Sequence, residues 1–370
     1  MLFRSSNTFG LLRFPVHQDA QGRDQLVKGR WIEVYRQTES GGDTIWSGII
    51  CHIKKIFDEN GDPTRYYEVT ARSFEWLPYW RRMVPSAGQD YFYKSGSKVD
   101  DAAKYLVRYC MQSGFASAAR AMAGFTVEAD DTEHADIKTL AGRYEDVLGD
   151  KLESWAKAYD FDWWVEANCP AATFVLRTKV PRRGSDKSAS VVFTVGRHNL
   201  LALEYYEDDL DTASFVYVGG PGEGASQVIR QVYDGAEPTG WSRREMFIPL
   251  ANAEYVDELD VGGHSWLDSF GSTLTGVRFE LNETEAGKWR TNFDIGDVVT
   301  IFDSDFGIDK VAEIKEVNYT LDDSGVEHIE LLVGEPAPSK WDLLQAGMGT
   351  YSSFDDDASP SVVQNSGYVL

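Results

Sequence analysis

The stretch GRWIEVY, residues 29–35, is rich in β-branched and aromatic side chains, a composition typical of a β-strand. A second stretch, GDVVTIF at residues 296–302, can be laid on it so that Ile32 falls on Val299. The match predicts that one β unit occurs twice in the chain. Unrelated β-meanders also share alternation and turn glycines, so chance similarity stays open as the alternative.

The strands that follow each stretch extend the comparison. Ile53 falls on Val317, and Val69 falls on Val333, each 264 positions later, whereas the first strands match at an offset of 267. The three-residue difference falls in the first hairpin loop. Asn60-Gly61 marks a tight turn between the second and third strands of the first unit.

Helical periodicity appears between the two β units. Ser97 and Asp100 resemble a capping box in front of apolar residues at helical spacing, which predicts a first helix. A longer apolar stripe from Ile137 to Tyr159 predicts a second helix. The strand-like segments FDWWVEA and ATFVLRTKV come next, so these elements predict a small α/β insert.

The order of these segments gives a fold class and four domains. We predict a mainly β fold with an α+β insert, in which two similar small β-barrels flank the helix-containing domain. Strand patterns resume after the basic linker VPRRGSDKSAS and continue to about residue 334, with candidate strands that include 274–281 and 308–321. The predicted boundaries are 1–90, 91–185, 186–335 and a flexible acidic tail at 336–370.

Composition excludes several classes of protein. The net charge of −23, from 59 acidic and 36 basic residues, argues against wrapping nucleic acid. Three widely separated cysteines, Cys51, Cys110 and Cys169, predict neither a disulfide framework nor a zinc site. We find no signal-peptide pattern and no apolar run of membrane-spanning length, so assembly in a cytoplasm is expected.

A glycine-rich loop within residues 215–230, FVYVGGPGEGASQVIR, has the spacing of a dinucleotide-binding turn at Gly220, Gly222 and Ala225. Such a turn needs a helix whose N-terminus meets the phosphates, and the residues that follow Ala225 favour a strand instead. Glu223 would also repel a phosphate. We therefore predict a turn between two strands and no cofactor.

The acidic segment YDFDWWVE contains Asp160, Asp162 and Glu166, which resemble the carboxylates of a glycosidase. In a strand, however, Asp162 and Glu166 share one face, and this alternation explains them without catalysis. The other short motifs, DSDFGID, SGSK and GGHSW, and the six scattered histidines lack the spacing of a known site. We predict no catalytic, cofactor-binding or metal-binding residues.

The order of several short segments is similar to that of the tail-tip hub proteins of long-tailed phages, the siphophage counterparts of the myophage baseplate hub. The segments are GRWIEVYR, LESWAKAYDFDWWVEA, ALEYYEDD, YVGGPGEG, RREMFI and IGDVV. The resemblance covers roughly residues 20–335 and implies a structural protein of the virion tail tip rather than an enzyme. It also implies a homotrimer whose six barrels form a ring, through which DNA passes without specific binding.

The resemblance further implies neighbours at the tail tip: the distal tail protein, the tape measure protein and other tip or fibre proteins. Two other functions remain open on the sequence alone. One is a tail-associated cell-wall hydrolase that uses Asp160, Asp162 and Glu166, and the other is a carbohydrate-binding β protein that exposes its tryptophans. The absence of a paired catalytic motif disfavours the first, and the helical insert disfavours the second.

Overall fold

The computed structural model describes residues 1–334 with short gaps at 39–40, 59–63, 86–88, 90, 116, 209–211, 252, 254–255, 272, 285–286 and 323. Two of the predictions, the turn at Asn60-Gly61 and the tail at 336–370, lie outside the described residues. The part described is mainly β, as predicted.

The elements, in chain order, are nineteen strands and three α-helices within the described residues. The strands are β1 (Leu2–Ser5), β2 (Leu11–His17), β3 (Trp31–Thr38), β4 (Gly41–Asp58), β5 (Thr64–Ser73), β6 (Phe92–Lys98), β7 (Phe125–Val127), β8 (Ile137–Gly142), β9 (Asp162–Asn168), β10 (Thr173–Lys179), β11 (Val192–Phe193), β12 (Leu200–Asp208), β13 (Phe215–Gly219), β14 (Ile229–Val232), β15 (Glu245–Pro249), β16 (Leu274–Leu281), β17 (Val298–Asp303), β18 (Ile308–Leu321) and β19 (Glu327–Gly334). The helices are α1 (Val99–Met111), α2 (Leu148–Ala158) and α3 (Val256–Phe270).

One large sheet contains the strands of both compared stretches. Its order is β12-β16-β19-β18-β1-β2-β5-β4-β3, and β17 pairs with β18 beside this path. The sheet therefore contains two five-stranded units in the same order. We call β1-β2-β5-β4-β3 the first repeat and β12-β16-β19-β18-β17 the second repeat.

The registers of the two repeats agree. Trp31 lies opposite Ile49 in the first repeat, and the residues 267 and 264 positions later, Val298 and Glu313, lie opposite each other in the second. Both repeats also contain an irregularity at the same place. The ladder shifts between Ile50 and His52 in β4, and it shifts between Ile314 and Glu316 in β18. A shared bulge is a specific feature, because an extra residue re-aims the strand around it.

The third strand of the match needs a correction. Val69 lies opposite Ile53 in the first repeat, and Leu331 lies opposite Val317 in the second. Val69 therefore corresponds to Leu331, not to Val333 as the sequence comparison predicted. The hairpin loop between the second and third strands is two residues shorter in the second repeat. Side-chain alternation does not reveal this difference, because a shift of two residues leaves every side chain of a strand on the same face.

The two repeats are joined by the first strand of the chain. β1 pairs with β2 on one side and with β18 on the other, from Leu2 opposite Tyr319 to Ser5 opposite Glu316. Apolar side chains of both repeats share one core, which includes Leu2, Ile50, Val69, Phe279, Trp289, Val317 and Leu331. The repeats are thus parts of a single packed unit.

The insert has its own core, built from α1, α2, the sheet β7-β10-β9 and the pair β6-β8. The predicted strands after α2 are confirmed as β9 and β10. The predicted helix from Ile137 is wrong in its first half: residues 137–142 form β8, and the chain turns at Arg143, whose backbone N–H donates to Asp146 Oδ2 at 2.7 Å.

The capping prediction at Ser97 is also wrong. Ser97 lies within β6, opposite Lys138, and α1 begins at Val99 without a side-chain cap. The sequence pattern SGSKVDD combines a strand end with a helix start, and local spacing cannot separate them. Asp100 and Asp101 instead lie in the first turn of α1, where a negatively charged side chain interacts favourably with the positive end of the helix dipole.

A third small unit consists of β13, β14, β15 and α3, which have their own apolar cluster. The sequence analysis missed α3, because the pair Gly262-Gly263 weakens the helical pattern. The structure explains these glycines by close packing. A Cβ on Gly263 would lie 2.5 Å from Val232 Cγ2, so the helix approaches β14 closely only without one. None of the described helices is long and apolar enough to cross a membrane.

Candidate assembly surface

The glycine-rich loop joins two antiparallel strands, β13 and β14, as predicted. The backbone N–H of Gly220 donates to the carbonyl of Val228 at 2.7 Å, and a single 3₁₀ turn covers Gly224–Ser226. A turn of this length does not provide the aligned N–H groups of a phosphate-binding helix. The interpretation as a turn is therefore confirmed.

The carboxylates of the acidic segment make structural contacts. Asp162 is buried, and its oxygens accept hydrogen bonds from Asn7 Nδ2 at 2.8 Å and the backbone N–H of Arg183 at 2.7 Å. Glu166 is exposed and forms an ion pair with Arg177. These contacts place the two carboxylates in different environments, and Asp162 has a structural role that strand alternation did not predict.

The remaining short motifs lie in ordinary local structure. The segment DSDFGID forms the tip of the β17-β18 hairpin, where Asp303 Oδ1 accepts from the backbone N–H of Asp305 at 3.0 Å and of Phe306 at 2.9 Å. Ser95 and Lys98 lie in β6. The three cysteines are free thiols.

Sequence analysis missed a charge cluster in the insert, which we call the Lys104 cluster: Asp100, Asp101 and Lys104, which are buried, and Asp131, which is exposed. The Lys104 ammonium lies 3.5, 3.0 and 2.9 Å from oxygens of Asp100, Asp101 and Asp131. The three carboxylates lie close enough to hold a metal ion, but the ammonium already provides a cation to them. Only the spacing from Asp100 to Lys104 on one helix face was visible in the sequence.

Protonation in the Lys104 cluster follows from this packing. Burial raises the pKa of Asp100, and Asp131 raises it further. Burial alone would lower the pKa of Lys104, but its carboxylate partners raise it above the usual value. Lys104 therefore stays charged in the folded protein. Asp100 binds a proton more readily than Asp131 does, since the pKa of Asp131 is lowered.

A second charge cluster lies where the repeats and the insert meet. We call it the Asp294 cluster: Asp294, Arg4, Arg183 and Arg290. Arg4 Nη1 lies 3.3 Å from Asp294 Oδ1, Trp289 Nε1 donates to the same oxygen at 3.2 Å, and Arg290 forms an ion pair with Oδ2. Burial alone would raise the pKa of Asp294, but the guanidiniums of Arg4, Arg290 and Arg183 lower it to about 2.

Several strand edges of the repeats lack a second strand among the described residues, including β3 at one end of the sheet path. Two others belong to β12 and β4. β12 pairs with β16 and lies at the end of the sheet path. The later half of β4, residues 52–58, pairs with β5, whereas β3 pairs only with residues 41–49 of β4. Unpaired N–H and C=O groups on such edges can accept another strand.

The two edges carry opposite charge. Glu204 and Glu207 are exposed on β12, and Lys54 and Lys55 are exposed on β4. A pocket of about 220 Å³ lies beside the β4 edge and is lined by Arg23, Asp24, Leu26, Ile53, Lys55, Tyr67 and Val69. These features form a candidate surface for contact with another chain rather than for catalysis.

Comparison with known proteins identifies the family to which this chain belongs. A family model described as "Siphovirus ReqiPepy6 Gp37-like protein" matches residues 18–335. The chain belongs to this siphovirus tail protein family. No protein with a curated description matches the sequence.

Solved structures of phage tail proteins share the fold of this siphovirus family member. The tail protein from Neisseria meningitidis MC58 superposes with a TM-score of 0.54 at 15% identity, covering 90% of each chain. The 43 kDa tail protein of prophage MuSo2 from Shewanella oneidensis superposes with a TM-score of 0.53 at 12% identity, covering 90% of this chain and 93% of that chain. The resemblance to phage tail proteins that the sequence indicated is confirmed.

Proposed function

We propose that the protein is the structural hub of a siphophage tail tip and acts as a homotrimer. The observation that carries the proposal is the duplicated five-stranded unit with a shared register and a shared bulge. In the proposed assembly each repeat forms one small barrel domain, and three chains present six of them around one axis.

Duplication explains how a threefold object meets a sixfold one. Closed rings need equivalent contacts around their axis, and three chains with two similar units each supply six near-equivalent positions. The ring would join the sixfold tail tube to a threefold tip. Its central channel would let DNA and the tape measure protein pass, and acidic side chains facing that channel would repel phosphate groups. The net charge of −23 supports this last point.

We assign the proposed roles to the four predicted domains. Residues 1–90 and 186–335 are the hub domains, and residues 91–185 are an insert between them. Residues 336–370 form an acidic tail that contacts a neighbouring tail component. The proposed partners are the distal tail protein, the tape measure protein and other tip or fibre proteins, and the proposed location is the tail tip of the virion.

The mass of the purified protein in solution tests the trimer. We expect light scattering to give about three times the chain mass of 41.5 kDa, and class averages to show six lobes around an opening. A stable dimer, or a monomer over the whole concentration range, would contradict the hub proposal. The Lys157→Glu/Arg197→Glu variant, which changes two exposed side chains outside β4 and β12, is expected to keep the trimer mass and serves as a control for general charge effects.

Zymography on peptidoglycan tests the hydrolase alternative. We expect no cleared band, because Asp162 is buried and both of its oxygens accept structural hydrogen bonds. Glu166→Gln is the informative variant, since Glu166 is exposed and its replacement is expected to leave the fold intact. A cleared band that disappears in Glu166→Gln would establish an enzyme and refute a purely structural role.

A further inference from the structure

We propose that β12 of one copy pairs antiparallel with β4 of a second copy, in the register that β1 and β18 already have within the chain. The inference rests on the proposed homotrimer and names the joint that would hold it together. The observations behind it are the correspondence of the repeats, the charges of the two edges and the incomplete cover over one core.

The repeats identify the partners. β1 is the outermost strand of the first repeat and pairs with β18, the fourth strand of the second repeat. β12 is the outermost strand of the second repeat, and β4 is the fourth strand of the first. A ring in which every repeat meets the next in the same way therefore needs a contact between β12 and β4. Within the described part of the chain these two strands do not pair, so the contact requires another copy.

The register of the new joint follows from the one within the chain. Leu2 lies opposite Leu12, and Tyr205 holds the same place opposite Val277, the counterpart of Leu12. Within the chain Leu2 faces Tyr319, and the residue of β4 equivalent to Tyr319 is Lys55. The expected pairing puts Tyr205 opposite Lys55.

The charges agree with this register. Antiparallel pairing of Tyr205 with Lys55 places Glu207 diagonally across from Lys55 on one face of the sheet. It also places Glu204 diagonally across from Lys54 on the other face. Diagonal neighbours have Cβ atoms roughly 7–8 Å apart, a separation that long side chains can span. Each face of the joint thus carries one pair of opposite charges, and all four side chains are exposed in the single chain.

The same charges disfavour a wrong joint. If β1 paired with β4 in the same register, Leu2 would lie opposite Lys55, and Arg4 would lie diagonally across from Lys55 on one face of the sheet. Like charges close to each other across a ladder are destabilising, so the pattern favours β12 over β1 as the strand that pairs with β4.

The core beside β4 is less covered than its counterpart. Val317 and Ile329 are 0% and 3% exposed in the second repeat, where β1 lies alongside. Their equivalents in the first repeat, Ile53 and Tyr67, are only partly buried and border the pocket of about 220 Å³. A strand added at β4 would cover Ile53 and Tyr67 as β1 covers Val317 and Ile329.

A charge-swap cycle tests the joint. The variants are Lys54→Glu/Lys55→Glu, Glu204→Lys/Glu207→Lys and the combination of all four, with Lys157→Glu/Arg197→Glu as the matched control. Light scattering over a dilution series gives the assembly constant of each. We expect each double reversal to weaken assembly at least tenfold, the combination to recover most of that loss, and the control to behave as wild type. Circular dichroism checks that every variant is folded.

A cysteine pair tests the register independently. In a Cys51→Ser background, Lys55→Cys with Tyr205→Cys places two thiols at directly opposite positions, within the Cα separation that a disulfide needs. We expect oxidation to give covalent trimers on denaturing gels. Lys54→Cys with Tyr205→Cys is the control, because these side chains would point to opposite faces of the sheet.

The outcomes separate the two proposals. The wild-type chain could form a trimer while both double reversals assemble as well as wild type and the Lys55→Cys/Tyr205→Cys variant forms no disulfide. That result would overturn this joint and leave the hub proposal standing. A wild-type chain that remains monomeric throughout would overturn the hub proposal and the joint with it. Weakened assembly without recovery in the fourfold variant would also refute the joint, since paired charges must compensate each other when exchanged.

Discussion

Replacing Lys104 by methionine is expected to lower the free energy of unfolding by about 3–5 kcal/mol, the usual cost of removing one partner from a buried ion pair. Lys104 is fully buried and lies within 3.5 Å of three carboxylates. Methionine fills a similar volume but leaves Asp100, Asp101 and Asp131 without their cation. Their mutual repulsion then opposes packing of α1, whose apolar side chains form much of the insert core.

Urea denaturation followed by circular dichroism measures this loss. Lys28→Met is the matched control, because Lys28 is exposed and its replacement is expected to change stability by less than about 0.5 kcal/mol. Adding Asp101→Asn to the Lys104→Met variant should recover part of the loss by removing one of the repelling charges. A Lys104→Met variant as stable as wild type would mean that the carboxylates are neutral in the folded protein, contrary to the ion pairs described above.

Replacing Asp294 by asparagine is expected to produce a second large loss, again about 3–5 kcal/mol. Asparagine keeps the shape of the side chain but removes the negative charge that faces Arg4, Arg183 and Arg290. Arg4 lies on β1, Arg183 lies at the end of the insert, and Asp294 lies shortly before β17. The loss therefore weakens the contact between three parts of the chain. Thermal unfolding measures it, with Asp305→Asn at the exposed β17-β18 turn as the control.

The Asp294 cluster also predicts how stability depends on acid. The folded pKa of about 2 lies below the usual value of 3.8, so the folded protein favours the ionised form. Its contribution is complete above about pH 4 and is lost as the pH falls through 2. The shift corresponds to about 2 kcal/mol. We expect Asp294→Asn to flatten the stability profile of wild type between pH 4 and pH 2, and an unchanged slope would contradict this origin.

Some elements could be predicted from the sequence because their signals are local. The candidate strands at 274–281 and 308–321 have the bounds of β16 and β18, since alternating apolar side chains and turn residues mark their ends. α3 was missed because its glycine pair reflects packing against β14, which no local pattern shows. β8 was predicted as a helix because Leu140 and Ala141, adjacent buried residues on opposite faces of the strand, also have the three- and four-residue spacing from Ile137 that a helix would show.

The charge clusters were harder to predict because they join distant parts of the chain. Asp100 and Lys104 lie on one helix face, but Asp131 reaches them from a loop whose position depends on the insert as a whole. Arg4 and Asp294 are 290 residues apart, and only the assembled sheet brings them together. The order of the segments nevertheless indicated the tail protein family, because several short segments that are weak evidence singly become specific when they occur in one order along the chain.

The pairing of β1 with β18 sets a limit on folding during synthesis. β1 leaves the ribosome before every other described strand, but the residues that pair with it, 316–319, are among the last described residues to appear. At about 5–20 residues per second, the growing chain waits roughly 15–60 seconds with one edge of β1 uncovered. The insert, whose core is local in sequence, can fold during that interval. Slow translation or chaperone binding near the N-terminus would therefore influence the yield of the large sheet more than the yield of the insert.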